Sequence, residues 1–362
     1  MSAIMIQSST EVIKLNVNEL TRDDWLRATF PEWGTWLVEE IDATVVEPGN
    51  VAMWWLGCMG VWLKTDRNTN LTIDFWVGTG KRTHPTLPMA DKHQYHKMSG
   101  SRITQPNLRL TAVVIDPFAV KKLDAFLSTH FHSDHIDPYA TAAVLKNCPS
   151  IKFIGPKACA DVWKSWSVPE DQIFEVRPGD SISIGDVKIT ALQSFDRTTE
   201  ITEYPVAGIE GSMDDKAVNY VLETSGGVIY HAGDSHYANQ FVEHGKRFDI
   251  DVAIGAYAHN PVGITDKMTA SDFIRMGEAL NAKVIIPMHY DTWSNFQSDV
   301  REIEVLYDMQ AERLGYKFHP FIWQLGGRYV YPLERSKRRF NYERGFPDAF
   351  DQPSRLPFVN FL

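Results

Sequence analysis

Three histidines and an aspartate fall within six residues at His130-Phe131-His132-Ser133-Asp134-His135, directly after the apolar run 123–127. Imidazole nitrogen and carboxylate oxygen are the donors that zinc, manganese and iron take. Side chains alternate in extended backbone, so His130 and His132 project to one side and can share a cation. Asp134 and His135 come after the loop turns, within reach of a second cation. A lone histidine behind a strand is commonly a satisfied polar group. Four donors packed together favour a metal site.

Two more apolar strands end in the same donor types. His231-Ala-Gly-Asp-Ser-His236 closes one of them. Gly233 allows a sharp turn that aims Asp234 into a site, where its carboxylate can bridge two cations. His289 closes the other, after Val284-Ile-Ile-Pro-Met288. The expected chemistry is hydrolysis by metal-activated water. Asp134 is the candidate for orienting or deprotonating that water. His236 or His259 is the candidate for protonating a leaving group.

These loops need strands to hold them. Runs at 51–56, 61–64 and 71–75, punctuated by Gly57, Gly60, Asn68 and Asn70, predict an antiparallel meander. Strands are expected at 123–127, 151–154, 173–176, 181–184 and 187–192, a hairpin at 217–223 and 228–231, and strands at 252–254 and 284–287. Helices are expected at 137–147, with Asp137 as cap and Pro138 in the first turn, and at 156–166, 269–280 and 299–314. Before the meander, Thr21 and Asp24 mark a helix start, and Trp25, Phe30, Trp33 and Trp36 supply surface for packing on the main body. Residues 78–120 are polar, hold four prolines and show no period. The expected organisation is a helical appendage over 1–50, a catalytic domain over 51–330 with a polar insertion at about 78–120, and an extension over 331–362. Strand blocks followed by helices make the class α/β.

Composition narrows the partners. The 362 residues carry a formal charge of −10, which disfavours a nucleic-acid phosphate backbone. The one short basic run, Lys337-Arg338-Arg339, reads as solvated surface. Cys58, Cys148 and Cys159 are too few and too scattered for a disulfide framework or a cysteine-rich zinc site, and free thiols suit the cytoplasm. Residues 1–20 lack the pattern of a secretory signal, and no apolar stretch approaches the ~20 residues of a membrane span.

Taken in order, His130-x-His132-x-Asp134-His135, Gly233-Asp234 and Pro287-x-His289 resemble the metallo-β-lactamase superfamily. Leu71-Thr-Ile-Asp74-Phe75 resembles its early strand, whose terminal aspartate supports the histidine loop. The implied fold is an αβ/βα sandwich, two facing β-sheets with helices on the outer faces. Further segments resemble the L-ascorbate-6-phosphate lactonase branch. They are Phe30-Pro-Glu-Trp-Gly-Thr-Trp36, Ala52-Met-Trp-Trp-Leu-Gly-Cys58, Asp74-Phe-Trp-Val-Gly-Thr-Gly80, Gln105-Pro-Asn-Leu-Arg109, Ile264-Thr-Asp-Lys-Met-Thr269 and Arg355-Leu-Pro-Phe358. The branch implies hydrolysis of the lactone of L-ascorbate 6-phosphate to 3-keto-L-gulonate 6-phosphate by a cytoplasmic, manganese-dependent homo-oligomer, with zinc or iron possible in the isolated protein. The alternative is a phosphodiesterase or nuclease of the same superfamily.

One departure stands out. The superfamily usually has a histidine between the first loop and Gly-Asp, but Ile189-Thr-Ala-Leu-Gln-Ser-Phe-Asp196-Arg197 has none. Asp196, or failing it Gln193, is the expected stand-in, and an oxygen donor favours manganese or iron over zinc. The substrate phosphate needs cationic partners. Arg197, Lys267, Lys81 and Arg328 are the candidates, each of a type that is ordinarily a solvated surface charge.

Overall fold

The computed structural model describes residues 15–29, 36–78, 94–99, 109–260, 263–294 and 296–341. Two seven-stranded sheets face each other. The first holds β1 (Val51–Gly57), β2 (Gly60–Thr65), β3 (Asn70–Ile73), β4 (Ala125–Leu127), β5 (Lys152–Gly155), β6 (Ile173–Glu175) and β14 (Arg328–Tyr331). Its order is β14-β1-β2-β3-β4-β5-β6. Pairing is antiparallel from β14 to β3 and parallel from β3 to β6. The second holds β7 (Ser181–Ile184), β8 (Val187–Gln193), β9 (Val218–Thr224), β10 (Gly227–His231), β11 (Val252–Ala256), β12 (Val284–Met288) and β13 (His319–Pro320). It repeats the plan: antiparallel from β7 to β10, parallel from β10 to β13.

The period-two pattern decides which way each strand faces. Along β1, Val51, Met53 and Trp55 enter the core between the sheets, while Ala52, Trp54 and Leu56 enter a second core outside the first sheet. That outer core is roofed by α1 (Arg22–Thr29), α2 (Trp36–Ala43), α4 (Pro138–Asn147) and α5 (Lys157–Ser165). A third core lies under α8 (Phe241–Arg247), α9 (Ala270–Ala279) and α10 (Arg301–Leu314) on the second sheet. The architecture is the expected αβ/βα sandwich. None of the described helices is long and apolar enough to cross a membrane.

The expected meander, hairpin and four helices form within a few residues of their predicted bounds. The Asp137 carboxylate accepts the Ala140 N–H at 2.7 Å, and Pro138 fills the first turn, so α4 starts where predicted. Trp25 is buried and donates its indole N–H to the Val77 carbonyl. Phe30 and Trp33 lie outside the described residues. The aperiodic stretch contains more structure than its pattern shows. It includes α3 (Gln94–Ser99), and Val113, Val114 and Ile115 are buried in the outer core. Arg109 is buried with its guanidinium 4.2 Å from the Trp76 ring, donating to the Thr111 and Ala112 carbonyls. A segment held by side chain-to-backbone bonds has no period to read. Three short helices also escape sequence analysis: α6 (Arg197–Ile201), α7 (Met213–Lys216) and α8.

Candidate metal centre

Asp74 follows β3, the histidine loop follows β4, Asp196 follows β8, Asp234 follows β10 and His289 follows β12. The pairing registers bring these strand ends to one edge of the sandwich. The donors converge there in three overlapping groups: His130, His132 and Asp196; His130, His135 and Asp234; and Cys58, Asp134, His135 and His289. Within each group one donor atom per residue lies within 4.8 Å of the others. His130 Nε2 is 3.7 Å from Asp196 Oδ2 and 3.0 Å from His132 Nδ1. The Asp234 Oδ2 is 3.3 Å from His135 Nε2 and 3.7 Å from His289 Nε2. The same oxygen is 4.0 Å from His130 Nε2, so it lies within 4 Å of three of the clustered imidazoles.

Asp74 orients the loop. Its carboxylate accepts the Thr129 N–H at 2.7 Å, the Thr129 hydroxyl at 2.8 Å and the His135 Nδ1–H at 2.9 Å. With Nδ1 protonated, His135 Nε2 presents a lone pair to the cluster. Asp196 caps α6 by accepting the Thr199 N–H at 2.9 Å, and this fixes its carboxylate beside His130.

Among the buried side-chain nitrogens and oxygens without a hydrogen-bond partner, four lie in the cluster: His135 Nε2, both ring nitrogens of His289, and Asp234 Oδ1. Each such atom costs about 1–3 kcal/mol if left unpaired. All belong to the clustered ligands, so the donor set fits a divalent cation.

The electrostatics agree with a site built for positive charge. Burial would raise the Asp134 and Asp234 carboxyls, yet His135 holds both well below the usual carboxylate range, aided at Asp134 by His289 and at Asp234 by Lys267. Burial and the Asp234 charge push Asp196 up to about 7. Burial holds His132 down to about 4 and His130 well below its ordinary value. At His135 burial is outweighed by Asp234 and Asp74, and the imidazole is raised. At His289 burial is outweighed by Cys58 and Asp234, to about 10. A cation entering this cluster displaces protons, so its affinity falls as pH falls.

The remaining expected residues part company. Lys267 is not a solvated charge. It is buried, with Nζ 2.7 Å from Asp234 Oδ2 and 3.0 Å from Asp266 Oδ2. Arg328 lies on β14 opposite Trp54, whose side chain packs in the outer core, and bonds Thr44, away from the cluster. Gln193 is exposed in a surface recess with Pro178, Gln240 and Arg247, and does not replace the missing histidine. Lys81 lies outside the described residues. Arg197 is exposed in the first turn of α6. His236 is half-buried with Nδ1 unpartnered, and burial and the charge of Arg197 lower its pKa. His259 is engaged by Glu302 at 2.9 Å. Sequence analysis missed Trp293, whose indole N–H donates to Asp134 Oδ2 at 2.9 Å, and Thr202, whose hydroxyl meets His132 Nε2 at 3.1 Å. Neither carries a local motif that marks it.

The comparisons with known proteins agree with this geometry. The sequence family described as beta-lactamase superfamily domain matches residues 99–290. A protein of Escherichia coli (strain SMS-3-5 / SECEC), named "Probable L-ascorbate-6-phosphate lactonase UlaG", is 52% identical over 351 residues, covering 96% of this chain and 99% of the relative. The chain belongs to the metallo-β-lactamase superfamily. Solved structures share the superfamily fold at low identity. Igni18, a metallo hydrolase from Ignicoccus hospitalis KIN4/I, superposes with a TM-score of 0.54 at 17% identity, over 78% of this chain and 98% of that one. An isothiocyanate hydrolase from Delia radicum gut bacteria gives 0.54 at 15% identity, over 77% and 98%. These two likenesses speak for the fold alone.

Proposed function

We propose that the protein is a metal-dependent lactonase that opens the ring of L-ascorbate 6-phosphate to give 3-keto-L-gulonate 6-phosphate. The observation that carries this reading is the 52% identity to the named lactonase over nearly the whole of both chains. The clustered donors support the metal requirement. In this reading His130, His132 and Asp196 hold one cation, Asp134, His135 and His289 face a second position, and Asp234 joins them. A divalent cation there supplies water of lowered pKa and polarisation of the lactone carbonyl.

The chain's own residues do the rest. Asp134, 2.9 Å from Trp293 Nε1 and 3.6 Å from His289 Nε2, is in this reading a ligand that also orients the water. His236 is the partner for the leaving alkoxide, since His259 is engaged by Glu302. Arg197, exposed beside His236, is the partner of the 6-phosphate, for which a guanidinium fork suits two-point binding. Lys267 instead neutralises the buried Asp234 and Asp266. Manganese as the ion, a cytoplasmic location and a homo-oligomeric state belong to the same proposal. The family resemblance implies them, and the oxygen donor Asp196 suits manganese.

The test is turnover of L-ascorbate 6-phosphate by chelated protein, with and without added Mn²⁺. Restored ring opening supports the reading. No turnover in the metal-loaded protein overturns it.

A further inference from the structure

Cys58 sits in the turn between β1 and β2, fully buried, and sequence analysis gives it no role. Its Sγ lies 3.6 Å from Asp134 Oδ2. It falls in one group with His135 and His289, all four donor atoms lying within 4.8 Å of one another. The other two cysteines, Cys148 and Cys159, are also buried but enter none of the donor groups.

The position of Cys58 is built rather than incidental. Its backbone lies in the left-handed region at φ 50°, and its carbonyl accepts the Trp55 indole N–H at 3.0 Å. The turn around it is close-packed: a Cβ on Gly60 would stand 2.9 Å from the Gly57 carbonyl oxygen and 3.0 Å from that of Asp74. An independent observation points to a ligand. His289 Nε2 and Nδ1 and His135 Nε2 are buried without a hydrogen-bond partner, in the same group as the sulfur. Two orphaned imidazoles, a carboxylate and a thiol in one pocket are donors of the types that a transition-metal ion takes.

We propose that Cys58 is a thiolate ligand of the second cation position, completing a Cys58–Asp134–His135–His289 set. The inference rests on the metal-dependent reading above. On binding, the Cys58 S–H bond breaks, a sulfur–metal bond forms, and the proton leaves to bulk water. The two positions then differ in kind. His130, His132 and Asp196 offer nitrogen and hard oxygen, whereas the Cys58 position adds soft sulfur and prefers zinc or iron over manganese. The rival role for the thiol is a weak hydrogen-bond donor that only steadies Asp134.

Full-length protein is stripped with chelator and loaded with cobalt(II), and its absorption spectrum and metal content are recorded alongside Cys58→Ser. The expected result is a near-ultraviolet sulfur-to-cobalt charge-transfer band in the wild type. In the variant the band is lost and bound cobalt falls to about half, the signature of one position of a two-metal site. Cobalt bound without that band overturns the proposal, as does a band that survives in the variant. Failure of the wild type to bind cobalt at all overturns the metal reading itself and this inference with it. If circular dichroism shows that Cys58→Ser does not fold, X-ray absorption of the zinc-loaded wild type decides. A sulfur neighbour at about 2.3 Å supports the assignment, and a shell of nitrogen and oxygen alone overturns it.

Discussion

Replacing Asp74 by asparagine isolates what a carboxylate does beneath the histidine loop. In the native chain one Asp74 oxygen accepts the Thr129 N–H, and the other accepts both the Thr129 hydroxyl and the His135 Nδ1–H. The asparagine oxygen can keep the Thr129 N–H, which leaves the amide NH₂ facing His135 Nδ1. Two donors cannot meet there, so the imidazole must accept at Nδ1 and carry its proton on Nε2. That atom is the one 3.3 Å from Asp234 in the donor cluster, and once protonated it has no lone pair for a cation. Losing such an orienting partner typically weakens metal affinity ten- to a hundredfold, or about 1.4–2.7 kcal/mol. The backbone adds little to this figure, because Asp74 has φ 52° and asparagine tolerates the left-handed region as well as aspartate does. Asp74→Ala would mix in both backbone strain and unsatisfied donors. Loss of a charge-assisted hydrogen bond should also cost about 1.5–3 kcal/mol of stability in the metal-free chain, read by urea unfolding. Isothermal titration of chelated protein with Mn²⁺ or Zn²⁺ measures the affinity. Affinity within about twofold of wild type, beside a clear loss of stability, would refute the tautomer argument and leave Asp74 as a structural prop alone.

His132→Ala is expected to abolish turnover while leaving the fold, measured by circular dichroism, largely intact; near-normal turnover with the metal content verified would contradict the ligand loop. Asp234→Asn and His289→Ala should both lower bound metal by elemental analysis, and unchanged content in both would break the proposed convergence of strand ends. Arg197→Ala should lower kcat/KM about ten- to a hundredfold for the phosphorylated lactone, from ~1.5–3 kcal/mol for a charge-assisted bond, and spare an unphosphorylated analogue. Equal loss with both substrates would place Arg197 in the chemistry or the fold instead. His244, hydrogen-bonded to Tyr230 at 2.8 Å, is held at about 4 by burial and the charge of Arg247, against an ordinary 6.5. Between those values the unfolded chain takes up a proton that the folded chain refuses, so the stability from a neutral His244 is full above pH 6.5 and lost as pH falls toward 4. The urea midpoint of His244→Gln should therefore fall less than that of wild type over this range, and parallel profiles would rule His244 out.

Local signals were enough for much of this protein. The Asp137–Pro138 start of α4, the Thr269 cap of α9 and the apolar run of β1 are short-range facts of chain chemistry, and each could be read in the sequence. The same holds for the histidine loop, because four of its donors are consecutive or nearly so. Asp196 was picked out, ahead of Gln193, only because the superfamily resemblance implies a ligand in that segment, and the structure sets its carboxylate 3.7 Å from His130 Nε2. Where sequence analysis stopped, distance along the chain was the reason. Cys58 meets Asp134 across 76 positions and Trp293 meets it across 159, and no periodicity links such pairs. Lys267 carries the same side chain whether solvated or buried. Only the packing of its loop against Asp234 and Asp266 made it a buried counter-ion rather than a solvated surface charge. Arg328 was sent to the far side by the pairing of β14 with β1, a register set by the closing of a whole sheet. Residue types and local patterns thus determined which chemistry was available and which segments would carry it. Which of those groups face one another was decided by long-range strand pairing, because contacts between remote segments form only when both sheets have packed.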